Sequence, residues 1–318
     1  MHSRTKRRLS PAQIDALTLH TLGAAVASAE EVHDGSLASV WRLGLEDGRT
    51  VLLKISPPPD LPTLTYEREL LRTEAMVYRL AGPAGVPLPE LLHAGFDSPL
   101  VDGDYLIVQA LDGVPWNRAR LSDAEQRVLR HELGRHLAAL HTVPGTGVFG
   151  YPHAGLTGAT WREAFLKMSG AVLDDAVRYG IRLPLSMLDL ARLVHTRSDA
   201  LDEVTVPSLV HFDIWPGNVF LTRTDQGPRI QGLVGHERAF WGDPLADFVT
   251  PTLFGELSEH DPLLAGYREA GGQVPTGPGA GIRDALYRMY LYLIMLVEEA
   301  PRGYPAQEYA RTRELATQ

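Results

Sequence analysis

The run Leu209-Val210 leads into a short polar loop, and a second apolar run, Val219-Phe220-Leu221, leaves it. Pro216 and Gly217 turn the chain between two strand-like segments, so Asp213 and Asn218, five residues apart, converge on one side of the turn. A carboxylate and a carboxamide set this way suit phosphoryl transfer. In H-x-D-x-x-x-x-N loops the Asp takes the proton of an attacking hydroxyl, and the Asn oxygen holds a magnesium ion on nucleotide phosphates. The plainer alternative is a hairpin whose Asp and Asn only make turns. His211 lies two residues before Asp213 on an extended strand, faces the same side, and reads as a brace for the loop.

Downstream lies Ile230-Gln231-Gly232-Leu233-Val234-Gly235-His236-Glu237, followed by Gly242-Asp243-Pro244-Leu245-Ala246-Asp247. With the loop at 211–218, these segments resemble the aminoglycoside phosphotransferase family, the antibiotic and choline kinase-like proteins. Its members read H-G/F-D-x-x-x-x-N, then I-D-x-E, then G-D-P-x-x-D. The resemblance implies a protein-kinase-like α+β fold, with a small mixed N-lobe (1–111) and a larger, mainly helical C-lobe (112–318). It implies transfer of the γ-phosphoryl of ATP or GTP, with Mg2+, to a hydroxyl of a small molecule, most often an antibiotic. Asp213 is then the base and Asn218 a metal ligand. Gly235 stands where the family carries its magnesium-bridging Asp, and a glycine has no side-chain ligand to offer. That departure admits a second reading, a nucleotide- or ligand-binding pseudokinase, natural or deliberately inactivated; a kinase of a small metabolite is a third. Asp243 and Asp247 read as capping and turn residues at a buried helix start.

Lys54 ends the alternating segment Thr50–Ile55, which an Asp47-Gly48 turn joins to Ser39–Leu45 as a hairpin. The chain holds only three lysines, so one among apolar neighbours is poor surface filler. The resemblance makes Lys54 the phosphate contact and puts Gly35 and Ser36 in a nucleotide-positioning loop. A helix is expected over 65–81. Glu67 and Glu74, seven apart, share one of its faces, and the resemblance selects Glu74 to pair with Lys54. Glu67 and Glu69 read as solvated. The buried strand beginning at Asp104 runs into a linker whose Gln109, Ala110 and Leu111 the resemblance places beside the nucleobase.

Further helices are expected at the Ser10-Pro11 cap, over 122–141 behind a Ser122…Glu125 capping box with Val128, Leu133, Leu137 and Leu140 inward, over 159–196, and over 284–299. Gly145 to Gly150 spells G-x-G-x-x-G but follows a helix, outside any βαβ unit. His131 and His136 are one residue too far apart for a zincin pair. In 318 residues there is no cysteine, which excludes disulfides and thiolate chemistry, and the net charge of −9 disfavours a nucleic-acid partner. The most apolar run, 290–297, is too short to span a bilayer, and the basic N-terminus lacks an apolar h-region. A cytoplasmic enzyme without membrane or nucleic-acid partners is expected.

Overall fold

A computed structural model describes residues 7, 9–32, 37–145, 147–303, 310 and 313–315. Helix α1 (Pro11–Leu22) starts at the expected cap, with Ser10 and Gln13 forming a reciprocal capping box. Strands β1 (Val26–Val32), β2 (Ser39–Leu45) and β3 (Thr50–Ile55) follow, then α2 (Leu70–Ala81), β4 (Leu91–Ser98) and β5 (Gly103–Gln109). They form an antiparallel five-stranded sheet in the order β1-β2-β3-β5-β4. Because strand residues alternate faces, Val51, Leu53 and Ile55 pack towards Ile14 and Leu17 of α1, and Leu52 and Lys54 face the other way. That opposite face carries α2, whose Leu71, Ala75 and Tyr78 pack on Leu106 and Val108.

The expected helix over 65–81 is broken. Residues Thr65–Glu67 form a separate 3-10 turn, Arg68 is extended, and Glu69 sits at φ +53° before α2 begins. The cause is anchoring to the other lobe: the Thr65 amide and hydroxyl donate to Asp175 at 2.6 and 2.8 Å, and Arg302 binds Glu67 at 2.5 Å. Glu67 is therefore buried, not solvated.

The second lobe begins with the short β6 (Val114–Pro115) and α3 (Asp123–His141), capped by Ser122 and Glu125 as expected. Leu133, Leu137 and Leu140 face the core, but Val128 is 52% exposed and Leu129 takes the inward place. Next come β7 (Phe149–Tyr151), β8 (Leu156–Gly158), α4 (Trp161–Arg178) and α5 (Met187–Arg197). The single helix expected over 159–196 is interrupted at Gly180, which turns the chain at φ +65°. Trp161, Phe165, Met168 and Val172 form its buried stripe. Strands β9 (Ser208–Val210), β10 (Val219–Thr224), β11 (Gly227–Leu233) and β12 (Phe240–Gly242) bracket the motif loops, and α6 (Pro262–Glu269), α7 (Pro278–Val297) and α8 (Glu299–Arg302) close the lobe. Strand β12 pairs with β9, Val210 opposite Phe240, so the two motif segments are held side by side. No helix among the described residues is long and apolar enough to cross a membrane.

Asp243 caps the 3-10 turn Pro244–Phe248 through the Leu245 amide and also accepts from Arg283 and Tyr287, each at 2.8 Å. Both side chains of the Asp243–Arg283 pair are 3% exposed. Arg283 also pairs with Glu203, whose side chain is 55% exposed, so Asp243 is its buried counter-charge; Asp243→Ala should lose roughly 3–5 kcal/mol of stability, read from urea unfolding midpoints at unchanged m-value. A loss under about 1 kcal/mol would show that Glu203 alone satisfies the arginine.

Candidate active site

Two residues downstream hold the loop that carries Asp213. Asp247, fully buried, accepts the amides of His211 at 2.9 Å and Phe212 at 2.7 Å, while the Thr250 hydroxyl accepts the Ile214 amide at 2.9 Å. Phe212 is thereby kept at φ +57°, a left-handed conformation that costs a bulky residue on the order of 1–3 kcal/mol. Its ring is buried against Phe240 and Tyr290. With the Phe212 ring in the core, the next side chain, Asp213, reaches the cleft between the lobes. His211 braces the turn as expected: Nδ1 accepts the Asp213 amide at 3.2 Å, and Nε2 meets the Val234 carbonyl at 3.1 Å.

Asp213 has two side-chain neighbours. Asn218 donates from Nδ2 to Oδ2 at 2.9 Å, and Arg238 stands 3.6 Å from Oδ1. Burial pushes the Asp213 carboxyl up, Arg238 opposes it, and Glu237 and Glu298 add to the rise, leaving it at about 6. Arg238 in turn binds Glu298 at 2.6 Å, Glu298 binds Arg302 at 2.9 Å, and Arg302 reaches Glu67. Local sequence pattern does not reveal this buried ladder of alternating charge, because its members come from four separate segments.

Lys54 lies across the cleft from this loop. Its ammonium contacts both Glu74 oxygens, at 2.7 and 2.6 Å, and Glu237 Oε1 at 2.7 Å. Burial alone would lower the lysine, but Glu237 and Glu74 outweigh it and hold the ammonium well above its usual range. Glu74 is raised by burial and by the charge of Glu237. Tyr78, one turn along α2, donates to Glu74 at 2.7 Å and packs edge-on against His236, whose ring lies 4.4 Å from that of His211. A packed path thus joins the lysine's partner to the brace of the loop.

The cleft has a volume of about 1270 Å3, and Lys54, Leu111, Asp213, Trp215, Asn218, Gly235, Glu237 and Arg238 all contribute to its wall. Of the linker residues, only Leu111 lines it; the Gln109 and Ala110 amides bond to the Glu90 and Thr50 carbonyls. Gly35 and Ser36 lie outside the described residues, while Leu37 and Ala38 just beyond them line the cleft. Trp215 is 42% exposed and is a feature the motif reading missed; an indole beside a polar turn was the available signal.

The side chains at 218 and 235 do not fit a magnesium clamp. Gly235 brings no oxygen from a side chain, and Asn218, held through Nδ2 by the Asp213 carbonyl and Oδ2, offers a single neutral oxygen. Among the described residues no group of three or more His, Cys, Asp or Glu is arranged to hold a metal.

The fold and this cleft define a kinase-like phosphotransferase architecture. The chain belongs to the phosphotransferase enzyme family, whose model matches residues 28–281. It is 24% identical to a probable ketoamine kinase of Klebsiella aerogenes over 86% of this chain and 88% of that protein. A probable ketoamine kinase of Synechocystis sp. is 28% identical over 50% of this chain and 53% of that protein. Among solved structures, a candidate fructosamine-3-kinase from Thermobifida fusca superposes with a TM-score of 0.65 at 24% identity, covering 95% of this chain and 98% of that one. A thermostable aminoglycoside phosphotransferase mutant in ternary complex with ADP and hygromycin B gives 0.63 at 19% identity, with 96% of each chain covered.

The raised carboxyl of Asp213 has a measurable consequence for stability. Its folded value of about 6 lies above the ordinary 3.8, so between these pH values the folded protein binds more protons than the unfolded chain. Stability is then greatest below the ordinary value and falls as the pH rises through about 6. Asp213→Asn removes the penalty: at pH 7.5 it should stabilise the protein by on the order of 1–3 kcal/mol, with the gain vanishing below about pH 4. Denaturant midpoints of both proteins across that range decide it; a gain that does not change with pH would dismiss Asp213 as its source.

Proposed function

We propose that this cleft transfers the γ-phosphoryl of ATP or GTP to a hydroxyl of a small molecule. One observation carries the reading: Lys54, fixed by Glu74 and Glu237, and Asp213, fixed by Asp247 through its loop, line the same cleft from opposite lobes. Lys54 is a compact charge suited to phosphate oxygens, and in this reading Leu111, which lines the cleft, lies beside the nucleobase. Asp213 takes the proton of the acceptor hydroxyl as its oxygen bonds to the γ-phosphorus. The bond from that phosphorus to the β–γ bridging oxygen breaks, and the nucleoside diphosphate leaves. We divide the chain near residue 111 into a nucleotide-binding and an acceptor-binding lobe, working in the cytoplasm, where the nucleotide is made.

For the acceptor we favour a sugar-derived ketoamine over an antibiotic. Two curated relatives carry that name, and the exposed indole of Trp215, two residues past Asp213, offers a flat apolar face for a sugar ring. The antibiotic reading draws on the aminoglycoside and macrolide phosphotransferases among the solved structures.

Gly235 weakens charge neutralisation during transfer, an electrostatic contribution worth about 10²–10³ in rate where single donors have been removed. Gly235→Asp should therefore raise magnesium-dependent turnover by about that factor, and aspartate is among the few residues that tolerate the left-handed φ of +76° found there. The assay is nucleoside diphosphate release with a fructosyl-amine, an aminoglycoside and a macrolide, run on this chain, on Gly235→Asp, and on Gly235→Asp with Asp213→Ala. The last should lose about 10²–10⁴ of the rate. Equal rates for the first two would remove Gly235 as the cause of any low activity, and no acceptor-dependent release from Gly235→Asp would reject the proposed transfer to these acceptors.

A further inference from the structure

The side chain of Asn218 occupies the space that a residue other than glycine would need at 235. A Cβ built on Gly235 would stand 2.6 Å from Asn218 Nδ2, 2.8 Å from Cγ and 3.0 Å from Oδ1. The amide nitrogen is also fully committed: Nδ2 donates to the Asp213 carbonyl and to Asp213 Oδ2, both at 2.9 Å. Both partners are acceptors, so only the nitrogen end of the amide can face them, which fixes its orientation on chemical grounds. The backbone holds the residue in place as well, since Asn218 N donates to Trp215 O and Asn218 O accepts from Val234 N. A side chain at 235 would force this amide to rotate away from Asp213.

We propose that Gly235 changes the work of Asn218, from ligand of a divalent cation to clasp on Asp213, and that nucleotide binding in this chain is in consequence nearly independent of magnesium. The inference rests on the reading of the cleft as a nucleotide site. With the carboxylate at 235 gone, the ion is left with one neutral oxygen of a side chain already engaged through its nitrogen. The phosphates keep Lys54, whose hold requires no metal. Asn218 is here a positioning residue: it restrains the Asp213 carboxylate from one side while Arg238 faces the other oxygen.

The test is calorimetric titration of ADP and of a non-hydrolysable ATP analogue, with saturating magnesium and with EDTA. It uses this chain, Asn218→Ala, Gly235→Asp and the double variant. Magnesium should change affinity by less than about twofold in this chain and in Asn218→Ala, but strengthen it on the order of tenfold or more in Gly235→Asp, an effect the double variant loses in part. The clasp has its own readout in thermal melting: Asn218→Ala should lower the Tm of this chain by about 2–4 °C and that of Gly235→Asp by less. A magnesium response on the order of tenfold in this chain, or Tm losses equal in the two backgrounds, overturns the proposal. Failure of either nucleotide to bind under both conditions overturns the nucleotide reading of the cleft along with it.

Discussion

A single buried carboxylate keeps the motif loop in working shape. Asp247 has no solvent exposure and three hydrogen-bond partners: the amides of His211 and Phe212, and Nε2 of His141 at the end of α3. The other ring nitrogen of His141 meets the Tyr267 hydroxyl of α6 at 2.8 Å, so the helix pair α3 and α6 is tied to the loop through one side chain. A carboxylate deprived of water is costly unless its oxygens are bonded, and amides with no sheet partner are costly for the same reason. Each satisfies the other here. The strained backbone of Phe212 persists because two fixed acceptor oxygens define where its amide and that of His211 must be.

Given a rigid loop, the electrostatics of the cleft follow from where counter-charges lie. Five charged residues alternate in sign from Asp213 through Arg238, Glu298 and Arg302 to Glu67, and Asp213, at the cleft, is the most exposed of them. Breaking such a chain in the middle would leave a buried ion without a partner, which disfavours loss of its members more than any single pair energy suggests. The ladder also joins elements the sequence separates widely: the 3-10 turn at 65–67, the motif segment after Gly235, and the junction of α7 and α8. Lys54 is treated oppositely. It shares its one positive charge between Glu74 and Glu237, so it is held in place without being spent on a single partner.

What the sequence made legible was whatever is encoded locally. The Asp47-Gly48 hairpin, the Ser10 and Ser122 caps, and the alternation that turns Lys54 away from the α1 face all depend on residues within a few positions of one another. Pairing of Lys54 with Glu74 came from the family resemblance and is met by the distances. Readings failed where a distant contact decides the outcome. The helix expected over 65–81 breaks because Asp175, more than 100 residues away, captures Thr65. Glu67 is buried because Arg302 reaches it from the far end of the chain. Val128 and Leu129 are neighbours with similar apolarity, and only the approach of other elements chooses which one faces inward. Strands β1 and β4 were missed for a related reason: half-exposed sequences such as Ala27-Ser28-Ala29-Glu30 carry no alternation, and become strands because β2 and β5 offer hydrogen-bonding edges.

Glu237 shows how far a motif can be carried by spacing alone. Two residues past Gly235 in extended chain, it would face the same side, and spacing makes it the substitute for the missing carboxylate. The backbone does not allow the inference. Gly235 adopts a left-handed conformation and His236–Arg238 form a 3-10 turn, so the alternation that holds for a strand ends at Val234. Glu237 is aimed at Lys54, Arg238 at Asp213 and Glu298, and His236 at the buried side against Tyr78 and His211. Three consecutive residues thereby serve three different neighbours: Lys54, Asp213, and the packing that connects them. A strand could not distribute its side chains this way, since its successive residues reach only two faces. The turn after Gly235 is therefore as much a requirement of the site as any of the residues it carries, and the left-handed position that starts it favours glycine, asparagine or aspartate over any branched or bulky side chain.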